Sequence, residues 1–324
     1  MVPVSVITGF LGCGKTTLIA RLLPDPSLSD TAVIVNDFGE IGLDHDLISN
    51  STETLLTLTT GCLCCAIRTD LVQTLLDLDA RRAAGEIRFA RILIETSGLA
   101  DPAPILAALM TDPALANRFT INAIITLVDS ELGHTTLSHH PEARRQVALA
   151  DRILLTKTDR TPPSPELRAH LAALNPAVTP TAGPADAKWL LAQAARLPAD
   201  YPPTALHTAA ITSAPIRTGP VPALALTLLL QALAEHIGPR LLRLKGIVDI
   251  EETPGQPAVI HGVQHVFSEP DFLPAWPTAD HTTRIVLIGE ALPPYFAARL
   301  LDAIIAEVRQ AASEPPVPSS AHRP

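Results

Sequence analysis

The sequence predicts an α/β fold in which a mostly parallel sheet is flanked by helices, followed by a smaller C-terminal α+β domain. Short apolar segments rich in β-branched residues recur up to residue 156, and segments with helical periodicity separate them. Strands that are apolar on both faces are typical of a parallel sheet covered by helices on both sides. Polar loops follow several of these segments, which predicts that ligands bind at the carboxyl edge of the sheet.

The predicted elements follow in order along the chain. Strands of the first part are predicted over residues 2–8, 31–36, 54–58, 91–95, 122–128 and 152–156. Helices of this part are predicted over residues 17–23, 69–84 and 104–110, and a polar loop is predicted after residue 129. The second part is predicted to contain helices over 221–236 and 293–310 and strands over 240–250, 258–263 and 284–288.

These elements divide the chain into four predicted regions. The first is a domain over residues 1–198, and a linker rich in Pro, Thr and Ala with one strand covers 199–222. An α+β domain follows over 223–312, and the polar, Pro-rich residues 313–324 are expected to be a disordered tail.

Composition and charge limit the possible functions. The formal net charge of −9 argues against nucleic acid or an anionic membrane as the main partner. The first ten residues lack the basic region of a secretory signal, and the apolar stretch 221–234 is too short to span a bilayer. Four cysteines without an export signal indicate reduced thiols. We therefore expect a cytoplasmic protein.

Residues 9–17, GFLGCGKTT, fit the phosphate-binding pattern G-x-x-x-x-G-K-[ST] and stand between a predicted strand and a predicted helix. In such a loop, backbone N–H groups surround phosphate oxygens and the helix N-terminus adds partial positive charge. Lys15 would reach the β- and γ-phosphates, and the Thr16 hydroxyl would bind Mg²⁺. The alternative is a glycine-rich turn without chemical function. The sequence thus predicts a P-loop NTPase whose nucleotide-binding residues include Gly9, Gly12, Cys13, Gly14, Lys15, Thr16 and Thr17.

Glu95 ends an apolar strand, and Gly98 follows three residues later. P-loop hydrolases place a carboxylate at such a position to hold Mg²⁺ or its waters, and a glycine amide to sense the γ-phosphate. The usual carboxylate is Asp, and the longer Glu can act through a water molecule. An ordinary surface glutamate is the alternative. The candidate catalytic residues are Lys15, Thr16, Glu95 and Gly98.

A third motif, Thr156-Lys157-Thr158-Asp159, follows another apolar strand and is similar to the guanine-binding N-K-x-D of GTPases. The Asp159 carboxylate can accept hydrogen bonds from guanine N1–H and from the exocyclic amine, a donor pair that adenine lacks. Lys157 would lay its aliphatic stem along the base. Thr156 stands where Asn is usual, and a charged turn after a strand is the alternative. The motif favours GTP as the nucleotide.

Three of the four cysteines, Cys62, Cys64 and Cys65, lie within four residues. Thiolates are soft ligands for Zn²⁺, and alternate residues of an extended loop can converge on one ion. The N-terminus of the following helix would lower the pKa of these thiols. A carboxylate, a water molecule or a histidine would complete the site. Small thiols packed in a core are the alternative.

Together these motifs resemble those of the CobW-like metallochaperone GTPases, relatives of the urease and hydrogenase maturation GTPases. The resemblance extends to about residue 310 and rests on residues 9–17, 36–40, 61–65, 95–102, 156–159, 241–247, 262–265 and 285–289.

The resemblance implies a GTPase that uses GTP and Mg²⁺ and binds Zn²⁺, or the similar Co²⁺ or Ni²⁺, through Cys62, Cys64 and Cys65. By position, Asp37 and Glu40 match the switch I region and would present carboxylates to Mg²⁺ or to the transferred metal. A client metalloprotein would receive the metal. The protein would act as a monomer or as a dimer that depends on nucleotide or metal.

Three other functions stay open at this point. One is a metal sensor or buffer with incidental nucleotide turnover, and another is a Co²⁺ chaperone in cobalamin biosynthesis. The third is a P-loop kinase or ATPase with structural cysteines, which would need a mobile basic lid. The sequence shows no arginine cluster suited to such a lid.

Overall fold

The computed structural model describes residues 1–35, 55–57, 65–192, 206–207, 211–293 and 295–313, of which 55–57, 65–70 and 206–207 are described as backbone. The elements of the first part are β1 (Val2–Thr8), α1 (Lys15–Leu22), β2 (Thr31–Val35), β3 (Leu55–Thr57), α2 (Cys65–Ala83), β4 (Arg91–Glu95), α3 (Ala103–Thr111), β5 (Phe119–Asp129), α4 (Gly133–His139), α5 (Pro141–Leu149), β6 (Arg152–Thr156), α6 (Pro165–Leu174), β7 (Thr181–Ala182) and α7 (Ala187–Leu191).

The first part forms one seven-stranded sheet in the order β3-β2-β4-β1-β5-β6-β7. Every strand pair in this sheet is parallel, which confirms the predicted fold class. The central strand β1 carries Val4, Val6 and Ile7, all fully buried, because helices cover both faces. The carboxyl ends of β1, β4, β5 and β6 therefore meet at one edge, where the predicted functional loops begin.

The structure differs from the sequence prediction most clearly after β5. Two helices, α4 and α5, occupy the stretch predicted to be a polar loop. Pro141 stands at the first position of α5, where a missing N–H costs nothing. The buried side chains of Ala143, Gln146 and Val147 then follow at helical spacing. At seven and nine residues, the two helices are too short for their periodicity to stand out.

The second part forms an antiparallel sheet with two long helices. Its elements are β8 (Leu206–His207), β9 (Ile211–Thr218), α8 (Ala223–Ile237), β10 (Leu241–Val248), β11 (Ala258–Val263), β12 (Val266–Phe267), β13 (Asp271–Phe272), β14 (Thr283–Glu290) and α9 (Phe296–Ser313). The strand order is β12-β11-β10-β14-β9-β8, with β13 paired to β11. Strand β9 lies within the predicted linker and pairs with β14 along its whole length, so the second sheet begins before residue 223.

The two faces of the second sheet have different partners. One face packs against α8 and α9 through a core that includes Leu229, Leu244 and Leu301. The other face contributes Leu242 and Val286 to a core that it shares with helices of the first part. The second domain is therefore packed onto the same side of the parallel sheet as α5 and α6.

A buried group of charges crosses this interface. The Asp151 carboxylate, just before β6, accepts hydrogen bonds from both Arg243 and Lys245 of β10. Arg243 also donates to the Leu149 carbonyl at the end of α5. Burial alone would raise the pKa of Asp151, but the charges of Arg243 and Lys245 outweigh it and lower the pKa to about 2. Asp151 is thus ionised at neutral pH.

Within the part of the chain that the structure describes, no helix combines the length and apolar character needed to cross a lipid bilayer.

A candidate nucleotide site at the carboxyl edge of the parallel sheet

The phosphate loop connects β1 to α1, as the sequence predicts. Gly9 has a φ of +140°, and a Cβ atom there would lie 2.4 Å from the Leu127 carbonyl oxygen and 2.7 Å from the Cys13 sulfur. Only glycine fits this position. The Cys13 amide donates to the Phe10 carbonyl, which closes the turn at 3.2 Å. The loop thus leads directly to the free N–H groups at the start of α1, which is a site for anions.

Lys15 is buried, and its ammonium group lies against the phosphate loop itself. The Nζ atom donates to the Gly9 carbonyl at 2.9 Å and to the Phe10 carbonyl at 3.4 Å. Both acceptors are backbone carbonyls of the loop, which carry no net charge. The charge of Lys15 is therefore available to an anion bound in the loop.

Thr16 and Glu95, the two predicted Mg²⁺ ligands, meet in the structure. The Thr16 hydroxyl donates to Glu95 Oε1 at 2.6 Å. Glu95 lies opposite Ile7, near the end of the neighbouring strand β1. Because the phosphate loop and Thr16 follow β1, Thr16 and Glu95 lie at the same edge of the sheet. A hydroxyl and a buried carboxylate are hard oxygen donors of the type that Mg²⁺ prefers. The residues present fit a Mg²⁺ site.

The loop between β4 and α3, residues 96–102, touches the phosphate loop. A Cβ atom on Gly98 would lie only 2.7 Å from the Leu11 amide nitrogen, so the backbones are in direct contact and glycine is required. The first residue of this loop is fixed to β1, because the Thr96 amide donates to the Ile7 carbonyl at 2.9 Å. Gly98 is thus held beside the phosphate loop.

Thr156 links the predicted guanine loop to the phosphate loop. Its hydroxyl donates to the Cys13 carbonyl at 2.8 Å and to the Val128 carbonyl at 3.3 Å. A threonine at this position therefore joins the ends of β5 and β6 to the phosphate loop. This contact gives a structural role to the residue that departs from the usual Asn.

Lys157 and Asp159 follow on the same turn. The Lys157 Nζ atom lies 2.5 Å from Asp129 Oδ2, at the end of β5. Burial alone would raise the pKa of Asp129, but hydrogen bonds from Lys157 and from two backbone amides lower it. The ionised Asp129 thus anchors Lys157, whereas the side chain of Asp159 is exposed and open to a ligand.

The described residues include only a small part of the predicted metal site. Cys65 is the first residue of α2, and Asp37, Glu40, Cys62 and Cys64 lie outside the described residues. The part of the chain that the structure describes contains no group of three or more His, Cys, Asp or Glu residues that could hold a metal ion. The fourth cysteine, Cys13, is buried in the phosphate loop, and burial raises the pKa of its thiol to about 11.

The sequence analysis did not identify two residues that shape this site. Asp129, like Glu95, is a carboxylate at the end of an apolar strand. This pattern in the sequence would have been sufficient to identify Asp129. Gln146 of α5 is fully buried, and its Nε2 donates to the carbonyls of Gly98 and Ala100 at 3.1 and 3.0 Å. A polar residue between apolar positions of a helix was its only signal.

Comparison with known proteins identifies the family. The family model described as CobW/HypB/UreG, nucleotide-binding domain, matches residues 3–182, and that of the Cobalamin synthesis protein cobW C-terminal domain matches residues 216–305. The zinc chaperone YjiA of Escherichia coli is 34% identical over 304 residues, which cover 90% of this chain and 95% of that protein. Zinc-regulated GTPase metalloprotein activator 1 of Saccharomyces cerevisiae is 35% identical over 52% of this chain and 44% of its own length.

Solved structures agree with this result. A crystal structure of a Zn(II)-bound triple mutant of the YjiA GTPase has a TM-score of 0.74 and 26% identity to this chain. It covers 94% of this chain, and the match covers 98% of the solved chain. The agreement therefore extends over both domains. On this evidence the chain belongs to the CobW/HypB/UreG family.

Proposed function

We propose that this protein is a GTP-hydrolysing metallochaperone that binds Zn²⁺ through Cys62, Cys64 and Cys65 and delivers it to a client metalloprotein. The observation that carries the proposal is the meeting of Thr16 and Glu95 at 2.6 Å beside the phosphate loop. That arrangement supports hydrolysis of a nucleoside triphosphate with Mg²⁺. The zinc chaperone and the zinc-regulated GTPase among the relatives support the choice of metal and nucleotide.

The residues around the phosphate loop have separate roles in this proposal. Lys15 would neutralise the β- and γ-phosphates, and Thr16 and Glu95 would hold Mg²⁺, which when bound stabilises charge on the phosphate oxygens. The longer side chain of Glu95 reaches the Thr16 hydroxyl directly. The Gly98 amide would donate to the γ-phosphate, so its loop would distinguish GTP from GDP.

The topology supports a metal site at the same edge of the sheet. Strands β2 and β3 are parallel neighbours, so the chain leaves Val35 and Thr57 on the same side. Asp37 follows the first of these ends, and Cys62 follows the second. Helix α2 begins at Cys65, and a helix N-terminus stabilises a thiolate. A Zn²⁺ ion bound by these cysteines would lie at the end of β3, next to the end of β2 from which Asp37 and Glu40 follow.

Replacing Asp159 by alanine is expected to weaken GTP binding by about 1.5–3 kcal/mol, because a hydrogen-bonded pair with an ionised partner is lost. Competition titration of the variant with GTP, GDP and ATP measures this effect. Asp302→Ala on α9, an exposed aspartate of the second domain, is the control and should leave all three affinities unchanged. The guanine assignment is wrong if the wild-type protein binds ATP as tightly as GTP.

Metal affinity is expected to depend on the bound nucleotide. If the γ-phosphate orders the switch residues near the cysteines, Zn²⁺ binds more tightly with a GTP analogue than with GDP, and hydrolysis releases it. Linkage then requires that Zn²⁺ raise the affinity for the analogue over GDP by the same factor. Affinity should also fall at acidic pH, because each thiol must lose its proton.

Titration of the protein with Zn²⁺, Co²⁺ and Ni²⁺ in the two nucleotide states, at matched pH, tests this coupling. Cys64→Ser should weaken metal binding and remove the coupling while GTP binding persists. His139→Ala, which removes an exposed imidazole from α4, is the control and should change neither. Equal metal affinities in the two states would instead support a metal buffer with incidental turnover.

A further inference from the structure

Helix α5 holds the loop that contains Gly98. The Gln146 side chain is fully buried, and its Nε2 bridges the carbonyl oxygens of Gly98 and Ala100 at 3.1 and 3.0 Å. The backbone of Gln146 is fixed in turn, because its carbonyl accepts a buried hydrogen bond from the Thr126 hydroxyl at 2.8 Å. Gln146 therefore ties the β4–α3 loop to strand β5.

The neighbouring residue, Arg145, connects the same loop to the second domain. Its guanidinium lies 2.6 Å from Glu290, the last residue of β14, and 3.5 Å from Asp101 in the β4–α3 loop. One cation is thus shared by two carboxylates that come from different domains. The pair is partly buried, with 39% of the Arg145 side chain exposed, so solvent screens it only in part.

We propose that Gln146 and Arg145 are positioning residues for recognition of the γ-phosphate. Gln146 fixes the Gly98 peptide beside the phosphate loop, and Arg145 makes the position of that loop depend on Glu290 of the second domain. The inference rests on the proposed function, because it needs a bound guanine nucleotide. Since GDP lacks the γ-phosphate, both residues act on the preference for GTP over GDP and not on nucleotide binding in general.

This proposal gives the second domain a role in the nucleotide cycle. A change at Glu290 alters the free energy of the GTP state relative to the GDP state. Among the described residues, the Glu290 side chain contacts Arg145 and not the phosphate loop. By reciprocity, exchange of GDP for GTP changes the strength of the Arg145–Glu290 contact between the domains.

The first test measures the ratio of the dissociation constants for GDP and a non-hydrolysable GTP analogue, with Mg²⁺ and the full chain. Gln146→Leu keeps the size of the side chain and removes its donor. We expect it to weaken binding of the analogue about 5- to 20-fold with little change for GDP.

A matched control is available at the carboxyl end of α5, which Asn175 contacts from the end of α6. Asn175 is also a buried carboxamide, and its Nδ2 donates to the carbonyls of Val147 and Ala150, both at 2.9 Å. Asn175→Leu and Gln146→Leu should both lower the melting temperature, but Asn175→Leu should leave the ratio of the two dissociation constants unchanged. This comparison separates positioning of the loop from general destabilisation of the helix.

The second test concerns the link between the domains. Arg145→Gln and Glu290→Gln should each lower the preference for the analogue about 2- to 5-fold, and the double variant should lower it no further. Glu251→Gln, which breaks the Glu251–Arg309 pair within the second domain, is the control and should have no effect on the ratio.

The outcomes distinguish this inference from the proposed function. A wild-type protein that binds no guanine nucleotide overturns the proposed function and the inference with it. A wild type that prefers the analogue, with an unchanged ratio in Gln146→Leu and in Arg145→Gln, overturns the inference alone. If Gln146→Leu does not fold, Arg145→Gln at its partly exposed position decides the question in the same way.

Discussion

Replacing Lys15 by alanine is expected to lower the rate of GTP hydrolysis by about 10²- to 10³-fold or more, because a preorganised positive charge on the β- and γ-phosphates is removed. Among the described residues, the Lys15 Nζ atom donates to carbonyl oxygens of its own loop, Gly9 and Phe10. The fold should therefore remain intact, with a melting temperature close to that of the wild type.

Steady-state GTPase rates of matched preparations measure this effect. Lys188→Ala, which removes an exposed lysine from α7, is the control and should keep the wild-type rate. Circular dichroism of both variants checks that they are folded. An unchanged rate in the Lys15 variant would mean that the observed hydrolysis comes from a contaminating enzyme.

The longer strands of the parallel sheet could be predicted from the sequence because they are buried on both faces, whereas the two-residue strand β7 was not predicted. In β4, for example, Ile92, Leu93 and Ile94 are all buried, so a continuous apolar run marked the strand. Predicted and observed bounds of β1, β4 and β6 agree residue for residue. Helices α4 and α5 were missed because short helices offer too few turns for a periodic signal, and Gln146 interrupts the apolar face of α5.

The candidate site could be predicted only in part, because some of its contacts follow from local motifs and others depend on how the helices pack. Thr16 follows β1 and Glu95 ends β4, and these two strands are parallel neighbours, so the two side chains meet at the carboxyl edge of the sheet. The motifs in the sequence already placed both residues at strand ends. The contact of Gln146 with Gly98 joins residues 48 positions apart and depends on how α5 packs on the sheet. No local pattern encodes such a contact, so it required the structure.

Replacing Asp151 by asparagine is expected to lower the free energy of unfolding by about 3–5 kcal/mol, because it leaves two buried cations without their anion. Asp151, Arg243 and Lys245 are all nearly inaccessible to solvent, with side-chain exposures of 4%, 9% and 14%. Asp151 also accepts from the Ile124 amide at 2.8 Å. The variant should therefore weaken the interface between the domains as well as the first domain itself.

This contribution should depend on pH. The folded-state pKa of Asp151, about 2, is below the value of about 3.9 for an unfolded chain. The ionised form thus stabilises the fold fully above about pH 5, and this stabilisation is lost as pH falls through about 4 to 2. The stabilities of the wild type and of Asp151→Asn should converge over this range.

Urea unfolding at neutral pH and at a series of acidic pH values measures both effects. Asp280→Asn is a matched control, because Asp280 also faces two arginines, Arg217 and Arg284, but lies at the surface. Solvent screens that group, so its loss should change stability far less than the loss of Asp151. If the two variants are equally stable at neutral pH, the buried charges contribute little to holding the domains together, and the apolar core that Leu242 and Val286 form with the first domain contributes more.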